Sequence, residues 1–289
     1  MAITPRMILT QPAAASVAAI AVVGMTIFGT YAFDVLQNEA RNRVSTAECG
    51  TVQGPSEYWT EAEWAGEALC FETHHRRDLA VATAGDGLRF YPESEVLYNI
   101  KGYNLIELGL HSEAVETLED GLARVEPTDG VMQNNLAWSY LFLHQGHSPR
   151  VRELYLASLQ KEPSACETLH TGLMVEFEVA RNSAGIARAE ALRAFQLLRN
   201  GYAACENRND TWTVAVEAVG AGVLYAEVEK MLGSEFYSSN PGRIVHEAAR
   251  AVDSEVFVRD PERMCREGMP MADLRPACER AVRSAFDQR

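Results

Sequence analysis

Six cysteines are the residues of this chain whose chemistry is easiest to interpret. An even number of cysteines behind a membrane-entry signal is typical of disulfides formed in an oxidising compartment. Six cysteines allow many different pairings, and six free, partly buried thiols are the alternative. All of them follow an uncharged N-terminal segment: Cys49, Cys70, Cys166, Cys205, Cys265 and Cys278.

Metal binding and catalysis have weaker support in the sequence. Cys70 and His74 would share one face of a helix, with His75 adjacent, but no second ligand pair of recognised spacing follows. The sequence contains no G-x-S-x-G, no glycine-rich phosphate-binding loop and no H-E-x-x-H. We therefore expect no metal, no cofactor and no enzymatic activity.

A period of 34 residues organises the middle of the chain. The interval and the surrounding small residues resemble the tetratricopeptide repeat, in which each unit is a hairpin of two helices. The resemblance covers roughly residues 60–205 and implies an all-α solenoid that docks a protein partner, without naming the partner. The paired positions are Trp64 and Tyr98, Ala68 and Gly102, Ala80 and Ala114, and Gly87 and Gly121.

The resemblance divides residues 60–205 into four hairpins. Thr60 with Glu63 is a capping-box signal for the first helix. Gly109 is expected to separate the two helices of the second hairpin, and Pro149 to open the second helix of the third. The fourth hairpin is expected to have a longer turn at residues 182–185.

The hairpin arrangement favours three local disulfides. Cys166 begins one helix of the fourth hairpin and Cys205 ends its antiparallel partner, so their Cα atoms are expected within bonding range. The other expected pairs are Cys49 with Cys70 and Cys265 with Cys278.

The resemblance also implies a binding surface, because the first helix of each hairpin lines the concave face in this family. An aromatic and amide surface of this kind favours an extended peptide or a helix as partner. The lysines and arginines with which the family clamps a terminal carboxylate are missing there. The alternative is that the aromatic rings pack between hairpins. The residues to which the pattern points are Asn99, Tyr103, Ile106, Asn134, Trp138, Leu141, Phe142, Leu173 and Phe177.

Residues 1–33 are predicted to form a signal anchor. No charge occurs between Arg6 and Asp34, and residues 13–33 match the roughly 20 helical residues that cross a bilayer core. The many small residues of this segment suit close helix packing in the membrane. A cleaved signal peptide and a mitochondrial presequence are the alternatives.

The remaining segments are interpreted from composition. Residues 34–59 lack a sustained apolar period and are predicted to form a juxtamembrane linker. Residues 206–289 are predicted to form a helical cap on the last repeat, because the terminal units of a solenoid need a more polar outer face. Helices are expected there at about residues 211–232, 243–256 and 274–286.

The net charge and the expected compartment limit the functions that this chain could have. The formal charge of -14 disfavours nucleic-acid binding, which relies on Lys and Arg. We expect a single-pass membrane protein whose soluble part faces the bacterial periplasm or, alternatively, the mitochondrial intermembrane space. The leading hypothesis is a membrane-anchored scaffold or assembly factor that docks protein partners. The alternative is a permanent accessory subunit of a large membrane complex.

Overall fold

The computed structural model describes residue 49, residues 58–203, residue 205, residues 212–232 and residues 261–287. The predicted anchor, most of the predicted linker and the helix expected at residues 243–256 lie outside these residues. The regular structure of the described residues is α-helical, which confirms the predicted all-α class. Among the described helices, none has both the length and the apolar character needed to cross a membrane.

Eight helices form the four hairpins that the repeat period predicts. The first hairpin is α1 (Glu61–Thr73) with α2 (Arg77–Phe90), and the second is α3 (Glu95–Glu107) with α4 (His111–Arg124). The third is α5 (Val131–Phe142) with α6 (Pro149–Lys161), and the fourth is α7 (Cys166–Asn182) with α8 (Gly185–Tyr202).

In the part of the chain that the structure describes, three further helices follow the hairpins. They are α9 (Trp212–Leu232), α10 (Pro261–Gly268) and α11 (Arg275–Asp287). Helices close to α9 and α11 are predicted from the sequence, whereas α10 is not, because proline and glycine, here Pro261 and Gly268, commonly interrupt helices. In the structure both residues belong to α10, since proline is well suited to the first helical position, where no backbone hydrogen bond is lost.

The capping box predicted at the start of α1 is present. The Thr60 amide donates to Oε2 of Glu63 at 2.6 Å, and the Glu63 amide donates to Oγ1 of Thr60 at 3.3 Å. The two bonds satisfy amides that would otherwise lack a partner at the helix start.

The small residues of the repeat period lie where helices touch. Ala68, Ala80 and Ala114 are fully buried. A Cβ atom added to Gly102 would lie 2.4 Å from Cδ2 of Leu118, so α3 and α4 approach as closely as they do only because this position is glycine.

The first three hairpins share one turn geometry. The second residue after each first helix has a positive φ: 58° at His75, 74° at Gly109 and 59° at His144. The amide of the following residue then bonds back across the turn, as in the 2.9 Å bond from Leu110 to the carbonyl of Leu105. These residues therefore carry the backbone conformation that reverses the chain.

We expect Gly109→Ala to lower the free energy of unfolding by about 1 kcal/mol, because a Cβ atom is strained at positive φ. Gly66 provides the control, since it lies within α1 with no atom within 4 Å of an added Cβ. Gly66→Ala should raise the free energy of unfolding by about 0.5 to 1 kcal/mol. Chemical denaturation measures both values. Changes of the same sign in the two variants would contradict the conclusion that Gly109 is required for its positive φ.

The fourth hairpin differs from its prediction. Only Ser183 and Ala184 separate α7 from α8, so the connection is short rather than long. The Asn182 side chain donates to the carbonyl of Glu178 at 2.8 Å, which satisfies an acceptor in the last turn of α7. The extra residues of this repeat lengthen its two helices and not its turn.

The cysteines form three disulfides, in the pairs that the hairpin arrangement favours. The Cα–Cα distance is 5.8 Å in each pair. Cys49 joins the segment before α1 to Cys70, Cys166 joins the start of α7 to Cys205 beyond α8, and Cys265 in α10 is bonded to Cys278 in α11. Disulfides of this number fit an oxidising compartment.

The first helices form a continuous row. Each of α1, α3, α5 and α7 contacts the next, and α9 continues the row beyond α7. We call the surface of this row the inner face. The pair α10 and α11 packs against α9, where a Cβ on Gly220 would lie 2.3 Å from the carbonyl oxygen of Gly268. This close backbone contact positions the C-terminal helices beside the inner face.

Candidate functional site

A groove runs along the inner face between α3, α5 and α7 on one side and α10 on the other. Tyr103, Ile106 and Glu107 of α3 line it, together with Asn134 and Trp138 of α5. Because α10 lies across the groove, side chains from the C-terminal region face those of the second and third hairpins. The residues contributed by α10 are Arg263, Arg266 and Glu267.

Two connected cavities make up the groove. The inner cavity has a volume of about 150 Å³ and reaches His170 of α7. The wider cavity has a volume of about 490 Å³ and reaches His111, Phe142 and Arg275. Trp138 lines both cavities.

The structure places the predicted partner-binding residues in two environments. The side chains that are half-buried at or near the groove are Asn99, Tyr103, Ile106, Asn134, Trp138 and Phe142. Leu141 and Phe177 are only 3% and 1% exposed, and Leu173 is fully buried. These three side chains lie in the core shared by the third and fourth hairpins and α9, which covers the inner side of α7. They cannot contact a partner in this arrangement.

Aromatic rings form a chain through the groove. His111 stacks on Phe142 with ring centroids 4.1 Å apart, and Phe142 lies edge-on to Trp138 at 5.4 Å. Trp138 is also 5.4 Å from His170, which is followed by Tyr202 at 5.9 Å. The rings therefore pack against one another, while the half-buried faces of Trp138 and Phe142 remain open to the cavities.

The two histidines of the groove are held neutral. Burial lowers the pKa of His170 to about 3. Burial, with a smaller contribution from Arg275, lowers the pKa of His111 to about 4. Nε2 of His170 and Nδ1 of His111 are buried and have no hydrogen-bond partner among the described residues. At neutral pH both rings are uncharged.

Acidic and basic side chains meet where α10 approaches α3. Nε of Arg263 donates to Oε1 of Glu267 at 2.6 Å, and Arg77 lies 3.5 Å from Glu107. Burial raises the pKa of Glu107, while Arg77 and Arg263 lower it and the nearby carboxylate of Glu267 raises it further. Tyr103 lies against the same charges, and burial together with Glu107 raises its pKa to about 12.

Several residues of this site were not predicted from the sequence, among them Glu107, His170, Arg263 and Glu267. His170 could have been found, since the 35-residue step that relates Ala137 to Gly172 also relates Asn135 to His170. Arg263 and Glu267 lie outside any repeat, and no sequence signal brings them beside α3.

In the cysteine and histidine cluster considered for metal binding, the two cysteines are bonded to each other. Cys49, Cys70 and His74 form the one group of three potential ligands found close together in the described part of the chain. Both sulfur atoms belong to the Cys49–Cys70 disulfide and are not available as thiolates. The reduced chain alone could offer these ligands.

The described residues thus define an all-α stack of helical hairpins with a groove of aromatic, amide and charged side chains along its inner face. No protein-family model matches the sequence, and no curated protein matches it. Among solved structures, the chain is similar to YrrB, described as a TPR protein with an unusual peptide-binding site. The two are 13% identical, the match covers 76% of this chain and 92% of YrrB, and the TM-score is 0.43.

Proposed function

We propose that this protein is a membrane-anchored scaffold whose helical hairpins dock another protein in the groove of the inner face. The observation that carries the proposal is the row of half-buried aromatic and amide side chains that lines two connected cavities. Tyr103 and Trp138 belong to the residue types that most often dominate the energy of protein interfaces. Residues 13–33 would hold the scaffold in the bilayer, and residues 34–59 would connect it to the hairpins.

Binding fits the groove better than catalysis does. All six cysteines are in disulfides, so none offers a nucleophilic thiolate. His170 is enclosed by aromatic rings, and its pKa of about 3 is far from the value that suits a general base at neutral pH.

The alternative is a permanent subunit of a membrane complex, and α8 gives it a specific basis. Ile186 and Leu197 are 79% and 67% exposed on this helix. In a permanent assembly a neighbouring subunit would cover these two side chains, so that a second surface of the chain would be buried besides the groove.

Isolation of the tagged full chain from detergent-extracted membranes tests the proposal. We expect Trp138→Ala to weaken the affinity for the partner roughly 30-fold, since truncation of such a residue costs about 2 kcal/mol or more. Less of the partner should therefore co-purify with this variant. Trp138→Phe should retain part of the binding, because it keeps an aromatic ring in the cavity. The intact mass of the recovered chain shows whether residues 1–33 are retained.

Tyr58→Ala is the matched control, because Tyr58 is 76% exposed and precedes α1. It should leave partner recovery unchanged. If Trp138→Ala lowers the melting temperature while the folded fraction binds its partner as before, Trp138 is a packing residue and the groove is not the docking surface. The permanent subunit would be favoured by a partner that is recovered in fixed stoichiometry and that is released only when the exposed surface of α8 is altered.

A further inference from the structure

The outer side of α8 carries the two most exposed large apolar side chains described in helices α1 to α11. Ile186 and Leu197 are 79% and 67% exposed, whereas the next, Phe90 of α2, is 47% exposed. α8 packs chiefly on α7, and its Phe195 reaches Tyr225 of α9. Single exposed apolar side chains are common, so the arrangement of the residues between Ile186 and Leu197 decides whether this side is an interface.

Ile186 and Leu197 belong to one stripe along α8, together with Glu190 and Arg193. The spacing i, i+4, i+7 and i+11 keeps the four residues within an arc of about 60° on a helix of 3.6 residues per turn. Glu190 and Arg193 are exposed, and neither forms an ion pair with another described residue. The stripe therefore presents to solvent an acid and a base, with one large apolar side chain beyond each of them.

This stripe is complementary to itself when a second copy runs antiparallel to the first. Ile186 and Leu197 have the same midpoint along the helix as Glu190 and Arg193, between residues 191 and 192. A twofold axis at this midpoint brings Ile186 of each copy to the level of Leu197 of the other. The same axis brings Glu190 of each copy to the level of Arg193 of the other. Interfaces in which both copies use the same surface in this way are the commonest in homodimers.

Small side chains border the stripe near its midpoint. Ala189 lies on one side of it and Ala194 on the other, and Ala189 is exposed. No bulky side chain at these two positions would keep the axes of two paired helices apart. The shape of this side of α8 therefore suits another helix, and its charges suit a second α8.

We propose that α8 binds α8 of a second copy of this chain and so forms a twofold-symmetric dimer, with Glu190 of each copy paired to Arg193 of the other. The neighbour that covers Ile186 and Leu197 is then this same protein. α8 lines neither cavity of the groove, so the two grooves of the dimer stay open, and the inference does not depend on what they bind.

The size of the contact sets the expected strength of the dimer. α8 has 18 residues, a length of about 27 Å. A contact along one helix of this length is small beside the roughly 1,200 Å² or more that stable complexes bury. We therefore expect a reversible dimer with a micromolar Kd.

The test is analytical ultracentrifugation of the full chain in detergent over a range of concentrations. Glu190→Arg sets arginine against arginine at both charged contacts of the dimer, and Arg193→Glu sets glutamate against glutamate. We expect each variant alone to raise the Kd of the dimer at least about tenfold, since like charges that face each other across an interface are costly.

A mixture of the two variants should dimerise again. The arginine introduced by Glu190→Arg then faces the glutamate introduced by Arg193→Glu, and the unchanged Arg193 of one chain faces the unchanged Glu190 of the other. Opposite charges meet at both contacts, so we expect a Kd close to that of the unmutated chain. The double variant Glu190→Arg, Arg193→Glu should recover the dimer by itself for the same reason.

Glu153→Arg is the matched control, because Glu153 is exposed on α6 and has the same spacing from Arg150 as Arg193 has from Glu190. It should leave the Kd of the dimer as it is. A chain that stays monomeric throughout, a dimer that neither charge reversal weakens, or a mixture that does not dimerise would overturn the inference. The groove is tested separately, since Trp138→Ala should reduce partner recovery without changing the Kd of the dimer.

Discussion

Loss of the Cys166–Cys205 disulfide should lower the melting temperature by on the order of 10 °C. The bond closes a loop with a sequence separation of 39 residues, for which the chain-entropy model gives about 3 to 4 kcal/mol. A domain of this size loses roughly 2 to 4 °C for each kcal/mol. The measurement is calorimetry of the double variant Cys166→Ala, Cys205→Ala, with circular dichroism at low temperature to show that the helices remain.

The double variant Cys265→Ala, Cys278→Ala is the natural comparison. Its loop is shorter, with a sequence separation of 13, and the same model gives about 3 kcal/mol or less. It should therefore destabilise the chain less than the first variant.

Peptide mapping of the unmutated chain without reduction checks the pairing itself. Free thiols at Cys166 and Cys205, or either one linked to another cysteine, would show that the hairpin is not closed in this way.

Acidification should destabilise the folded protein through His170. Its pKa is about 3 in the folded state and about 6.5 when unfolded, so the unfolded chain binds the extra proton first. The stabilisation is fully present above about pH 6.5 and is lost as the pH falls toward 3. Between pH 6.5 and 4.5 the loss from this one residue is about 2 to 3 kcal/mol. His111, with a pKa of about 4, adds to it in the same direction.

The pH dependence of unfolding in urea tests this expectation. Two acids, Glu107 and Glu176, have raised pKa values and act in the opposite direction, so the comparison is made between variants. His170→Phe should flatten the slope of stability against pH between 4.5 and 6.5. His147→Gln, at an exposed position, should leave the slope as it is. A slope that His170→Phe does not change would show that the ring is not held neutral by burial.

The helical hairpins could be predicted from the sequence because the forces that form them are local. The capping box at Thr60 involves residues three positions apart, and the turn at Gly109 depends on one residue that tolerates positive φ. The contact of Gly102 with Leu118 joins neighbouring helices, so a small residue at a fixed period is enough to indicate it. Cysteine pairing followed from the same hairpin arrangement.

The composition of the groove could be predicted only in part. Tyr103 and Trp138 lie on it because the repeat period places them on the same face of successive first helices. Leu141 and Phe177 share that period but are buried, since their exposure depends on neighbouring helices. Some of these helices lie outside the repeat: α9 packs against α7, and no repeat in the sequence encodes its position.

The sequence by itself determined the repeat, the helix starts and turns, and the pairs of cysteines that lie near one another along the hairpins. Only the tertiary structure brought Arg263 and Glu267 across the inner face to Glu107, because contacts between segments so distant along the chain depend on the path of the whole backbone. The glycine contact between α9 and α10 fixes that path through backbone packing. It converts an open aromatic face into a cavity lined by side chains from both ends of the described chain.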